Sequence, residues 1–138
     1  MISLRFALVV SMLLALAVVI PPNAVKSATP QIAESADKVV SLRNVTATVT
    51  EVSGEVVNNS SNAVRDVNVE ILYSWRWNNE MHPGTDDPGR AVYHMIETEI
   101  APGQSARFNY KPSSPLSARK DGHFDITVKV VGFTQIYR

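Results

Sequence analysis

The sequence predicts an all-β protein: an antiparallel β-sandwich of about seven short strands, preceded by an apolar leader helix. Three observations carry that prediction. Hydrophobic residues alternate with polar ones along most of the stretch from Val45 to Val130, clusters of Asn, Ser, Pro and Gly interrupt the alternation at short intervals, and no helix-length periodic segment follows residue 38.

The chain has 138 residues, room for one domain. Its first part reads as a leader. Met1 to Arg5 carries one positive charge, Phe6 to Ile20 is uncharged with Ser11 as its one polar member, Pro21 and Pro22 end the run, and Val25, Ser27 and Ala28 follow as small residues. A positive start, a short apolar core and small residues at the cut are the parts of a secretory signal peptide, expected over 1–27 with cleavage after Ser27. As a helix, Phe6 to Ile20 reaches about 22 Å, short of the ~30 Å hydrocarbon core, which favours cleavage over retention as an anchor. The expected location is periplasmic or secreted, with membrane attachment through an uncleaved leader as the alternative. The chain has no cysteine, so a lipid-modified cysteine is excluded and no disulfide ties the fold. A domain of about 100 residues buries enough core to manage without one.

The full chain has 13 basic and 13 acidic residues, and removing Arg5 and Lys26 with the leader leaves 11 against 13, a net charge of −2. A protein so near neutral has no electrostatic pull toward nucleic acid, which rewards dense basic patches. Lys111, Arg119 and Lys120 are the basic residues nearest to a cluster, and they read as a solvated loop.

Taken in order, "ATPQIAESADK" (28–38) is polar with small residues and reads as a linker, so the domain is expected over 39–138. Val45, Ala47 and Val49 alternate with threonines. The like-facing set then becomes Val52, Gly54, Val56 and Asn58, a change of phase that predicts a bulge or bend near Glu51 to Gly54. "NNSSNAVRD" (58–66) is a turn whose Asn and Ser side chains bond their own backbone. Val67, Val69, Ile71, Tyr73, Trp75 and Trp77 then share one face of the longest regular strand. A loop is expected over 78–90, a strand over Val92 to Ile100, and a type II turn at "APGQS", where proline precedes glycine. Ala106, Phe108 and Tyr110 make a short strand, and after "KPSSPLSARKDG" the last strand points Phe124, Ile126, Val128 and Val130 inward.

The run Gly54, Val56, Asn58, Val67, Val69, Leu72, Tyr73, Pro102, Gly103, Phe108 and the final strand from Phe124 to Val130 resembles the FxLYD-type immunoglobulin-like domains of bacterial exported proteins. Leu72 and Tyr73 fall on the namesake motif, while its phenylalanine and aspartate positions hold Glu70 and Ser74. The resemblance covers roughly 45–131. It implies an immunoglobulin-like sandwich serving as an accessory or interaction module, with no catalytic residues to carry over.

"YSWRWNNEMHPGTDDPGRAVYHM" (73–95) is the stretch richest in chemistry. By strand phase Trp75 points into the core, and Trp77, at the strand's end, packs at the rim or stacks on a sugar or peptide beside Tyr73 or Tyr93. Trp77, Met81, His82 and Tyr93 are therefore the candidate binding residues. Met81, His82, His94 and Met95 offer thioether and imidazole donors of the kind exported copper proteins use, although neighbours such as His94 and Met95 face opposite ways on a strand. Asp86 and Asp87, with Glu80, suit turn chemistry better than a calcium loop, whose alternating acid and glycine spacing they lack. His123 and Asp125 read as a surface pair. No cysteine nucleophile, Gly-x-Ser-x-Gly elbow or His-Glu-x-x-His pair is present, so catalysis is not expected and no catalytic residue is assigned.

The expected role is a non-catalytic binding or accessory module with no cofactor, monomeric, whose partner is another envelope or extracellular protein. It would dock through a sheet edge or through the loop end at 78–91. The alternatives are a copper carrier and a carbohydrate-binding module.

Overall fold

The computed structural model describes the backbone of residues 28–32 and all of residues 36–138; the expected leader over 1–27 lies outside the described residues. The elements are β1 (Ala28–Ile32), a single helical turn α1 (Ala36–Val39), β2 (Val40–Ala47), β3 (Val52–Asn58), β4 (Ala63–Trp77), β5 (Arg90–Ile96), β6 (Ser105–Tyr110) and β7 (Gly122–Ile136). One sheet has the order β1-β7-β4-β5, the other β2-β3-β6, and every neighbouring pair is antiparallel. The all-β expectation holds, with seven strands among the described residues.

The two sheets close on one core. Val52, Val56 and Phe108 from the three-stranded sheet meet Val67, Val69, Ile71, Tyr73, Val130 and Phe133 from the other. Burial alternates along β3 and β4, so Val52, Gly54, Val56 and Asn58 do share the inner face, as do Val67 through Trp75. Each fully buried Val or Ile contributes about 1.5–3 kcal/mol relative to exposure. Gly54 stands opposite Phe108 in the register because a Cβ there would lie 3.0 Å from the Phe108 ring and 3.2 Å from Val45.

Three local expectations are corrected. Residues 28–38, read as a linker, carry β1, paired with β7 from Ala28–Ile136 to Ile32–Gly132, and α1, whose Ala36 is fully buried. The phase change near 51–54 is a hairpin turn: Thr48 Oγ1 accepts from the Glu51 amide at 3.0 Å, and the Thr48 amide donates to the Glu51 carbonyl at 2.8 Å. The bulge lies earlier, between Arg43 and Thr46, where Asn44 adopts φ 54°, and it leaves Val45 exposed, while Val49 is exposed in the turn. The strand expected to Ile100 ends at Ile96; Ile100 returns as an isolated bridge to Val64, with N–H···O bonds of 2.7 and 3.0 Å.

Two turns match their chemistry. The Gln104 amide donates to the Ala101 carbonyl at 3.0 Å across Pro102 and Gly103, whose φ of +72° is what a type II turn demands of its third residue. Asn58 Oδ1 accepts from the Ser60 amide at 3.0 Å and the Ser60 hydroxyl at 2.7 Å. A further bulge, with Asp66 at φ 51°, shifts the β4–β7 register between Arg65 and Asn68 and turns the inward set from Val64 to Val67.

Candidate binding surfaces

The loop end is built on an aromatic ladder. Trp75 stands opposite Phe124 of β7 with ring centroids 4.8 Å apart, and Trp75 and Trp77 meet edge to face at 6.1 Å. Arg119, expected in a solvated loop, instead sets its guanidinium 5.4 Å from the Trp75 ring and 5.0 Å from the Trp77 ring, with a side chain only 24% exposed. It is held by Asp121 through two hydrogen bonds, one of 2.9 Å, and by the Asp86 carbonyl at 2.7 Å. The Arg119 hydrogen bonds hold the Asp121 carboxyl below its ordinary value, and the same contact raises Arg119. Sequence reasoning missed Arg119 because nothing in "SARKD" separates a clamp from a solvated cation.

Trp77 is covered as well. A Cβ on Gly84 would lie 2.6 Å from its ring, so the loop backbone rests directly on the indole, with Arg119 against it too. This is rim packing, and it leaves the indole little room to stack on a sugar. Two loop acids are spent on turn bonds, Glu80 Oε1 accepting from the Trp77 amide at 3.1 Å and Asp87 Oδ1 from the Gly89 amide at 2.8 Å, while the exposed Asp86 carboxylate lies 3.6 Å from Arg119. Among the described residues, no group of three His, Cys, Asp or Glu side chains is arranged to hold a metal.

The four candidate metal ligands fall in three places. Met81, 84% exposed, and His82 sit in a tight turn in which the His82 amide donates to the Asn79 carbonyl at 3.1 Å. His94 faces inward, its ring 6.2 Å from Phe108 and 5.8 Å from Tyr110, while Met95 faces solvent. In the register His94 stands opposite Val69, so the climb along β4 to Trp77, where the loop leaves, is about 26 Å. His123 and Asp125 do not pair as expected either: Asp125 lies 3.8 Å from Arg76.

Tyr93, the remaining candidate, belongs to a separate surface. On the outer face of the four-stranded sheet, Tyr93, Glu70 and Lys129 form a row across β5, β4 and β7. The Tyr93 hydroxyl donates to Glu70 Oε1 at 3.0 Å, and Lys129 Nζ lies 2.9 Å from Glu70 Oε2. The Lys129 bond holds the Glu70 carboxyl below its ordinary value, and the Glu70 bond raises both Lys129 and Tyr93. Tyr93 is 61% exposed and Met95, two residues on, 53%.

The backbone of β5 adds to this. The Asn78 amide donates to the Asp121 carbonyl, so beyond the Asp66 bulge the even-numbered residues of β4 bond toward β7 and the odd-numbered ones toward β5. The β5 partners of those odd residues are Arg90, Val92, His94 and Ile96, which leaves the N–H and C=O groups of Ala91, Tyr93 and Met95 directed to the free edge. Among the described residues no loop or side chain bonds to those groups. The other outer strands carry edge guards: Pro30 in β1, the Asn44 bulge and Arg43 in β2, and Arg107 in β6. From Ala91 to Ile96, β5 has no proline, no bulge and no full charge. It begins at Arg90 because Pro88, which would stand opposite Trp75 if the register continued, has no N–H to give. No protein family, curated protein or solved structure matches this chain.

Proposed function

We propose that the chain is an exported, immunoglobulin-like β-sandwich domain serving as a non-catalytic protein-binding module in the cell envelope or outside it, and that its contact surface is the free edge and outer face of β5. The observation that carries this reading is the unguarded edge: three residues present both their backbone hydrogen-bonding groups and exposed side chains, among them Tyr93 and Met95. Strand addition at such an edge takes affinity from main-chain bonds and selectivity from alternate side chains. The immunoglobulin-like assignment draws support from two antiparallel sheets around one core and from Leu72 and Tyr73 at the family motif positions. Export draws support from the composition of residues 1–27.

A photo-crosslinking residue placed at Met95 or at Met81, in the native host, decides between edge and loop end. The expected result is a defined adduct from position 95 that is lost when Tyr93→Pro removes an outward N–H. That change spares the β4–β5 backbone ladder, because the Tyr93 main chain gives no bond to β4, and it also removes the Tyr93–Glu70 side-chain bond. An adduct from position 81 alone would move the contact to the loop end and end the edge reading.

A further inference from the structure

Resting on that reading of the edge, we infer that the partner is a second copy of this chain, joined β5 to β5 in a two-fold antiparallel pair centred on Tyr93. The sequence alone suggests a monomer; the inferred assembly is a dimer in which two four-stranded sheets continue as one. The spacing of the free groups carries the inference. With Tyr93 opposite its own copy, Ala91 stands opposite Met95 and Met95 opposite Ala91, so each of the three outward residues meets another outward residue. A hydrogen-bonded antiparallel pair exchanges two bonds, so the contact gains about six without disturbing either β4–β5 ladder. The same patch serves both copies, and such a contact closes at two.

The side chains suit that register. On the solvent face Met95 lies across from the small Ala91, and the two exposed Tyr93 rings meet at the axis. No like charges are brought together, because Ala91 to Ile96 carries no full charge and Glu70 beneath the ring is already engaged by Tyr93 and Lys129. The edges of β1, β2 and β6 are poorer matches, being interrupted by Pro30, by the Asn44 bulge and by Arg107.

Sedimentation of the full-chain protein across the micromolar range tests the inference, with two double variants at exposed positions that leave the core untouched. Ala91→Lys with Met95→Lys sets lysine against lysine in both flanking pairs, whereas Ala91→Lys with Met95→Glu sets lysine against glutamate. The wild type is expected to dimerise, the first variant to weaken association at least about tenfold, and the second to keep it. Wild-type protein that stays monomeric throughout, or two double variants that associate equally, would overturn self-pairing. A monomer that still crosslinks to a different protein from position 95 removes the second copy alone; a monomer with no adduct there removes the edge reading as well.

Discussion

Arg119 leaves a loop and comes to rest between two carboxyl-bearing turns and two indole rings, 5.0 Å from one and 5.4 Å from the other. A planar, weakly hydrated guanidinium packs against the indole rings and still reaches Asp121 with two donors, which a lysine ammonium does not do. The contact joins the 111–121 connection, the 78–89 loop and the end of β4, so the loop end is a fixed cap. Arg119→Ala is therefore expected to lower Tm by several degrees and to shift tryptophan emission to the red as water reaches Trp77, and Arg119→Lys is expected to recover little of either. Thermal melts followed by fluorescence check this; an Arg119→Lys protein indistinguishable from wild type would reduce the clamp to simple charge pairing.

Across the sheet, the row Tyr93–Glu70–Lys129 ties β5, β4 and β7 together on the outer face, and its pH dependence follows from the directions of its shifts. Glu70 is lowered from the ordinary 4.5, chiefly by its Lys129 hydrogen bond, so its contribution is complete above that value and is lost as pH falls through the folded one. Lys129 and Tyr93 are raised from 10.5 and 10.0 by their bonds to Glu70, so their contributions are complete below those values and are lost as pH rises through the folded ones. The Tm gap between wild type and Glu70→Gln is expected to be steady from mild acid to pH 9 and to close below pH 4.5, which melts across pH would show. A gap that widens in acid would mean the row does not stabilise the charged form. The strands of this row were readable in the sequence wherever inward residues alternate without a break, as from Val67 to Trp77. The reading failed where long-range pairing or one side chain decides the backbone: β1 has no local pattern and takes its order from β7, and Thr48 turns the chain at a place where alternation alone suggests a bulge. Tyr93 was identified from composition, but the free edge beneath it depends on which neighbours β5 has, a property of topology that no stretch of sequence contains.

For the molecule as a whole, the question is whether two sheets around one core behave as a single unit. Asn58 is placed to answer it. Its side chain is fully buried at the end of β3, donates to the Asn62 carbonyl at 2.8 Å and the Ile100 carbonyl at 3.0 Å, and accepts from Ser60; its backbone bonds Gln104 and Gly103. It thus fastens the three-stranded sheet to the turn before β4 and to the bridge at Val64, at the pole opposite the tryptophans. Asn58→Ala strips the partners from several buried polar groups at once, and a cost of about 2–4 kcal/mol is expected. Because the core residues form one cluster spanning both sheets, that loss is expected to reach Trp75 and Trp77 undiminished: urea transitions followed by fluorescence and by far-ultraviolet circular dichroism stay superimposed and move together to lower denaturant. A fluorescence transition left in place while part of the dichroism signal disappears would show that the sheets unfold separately.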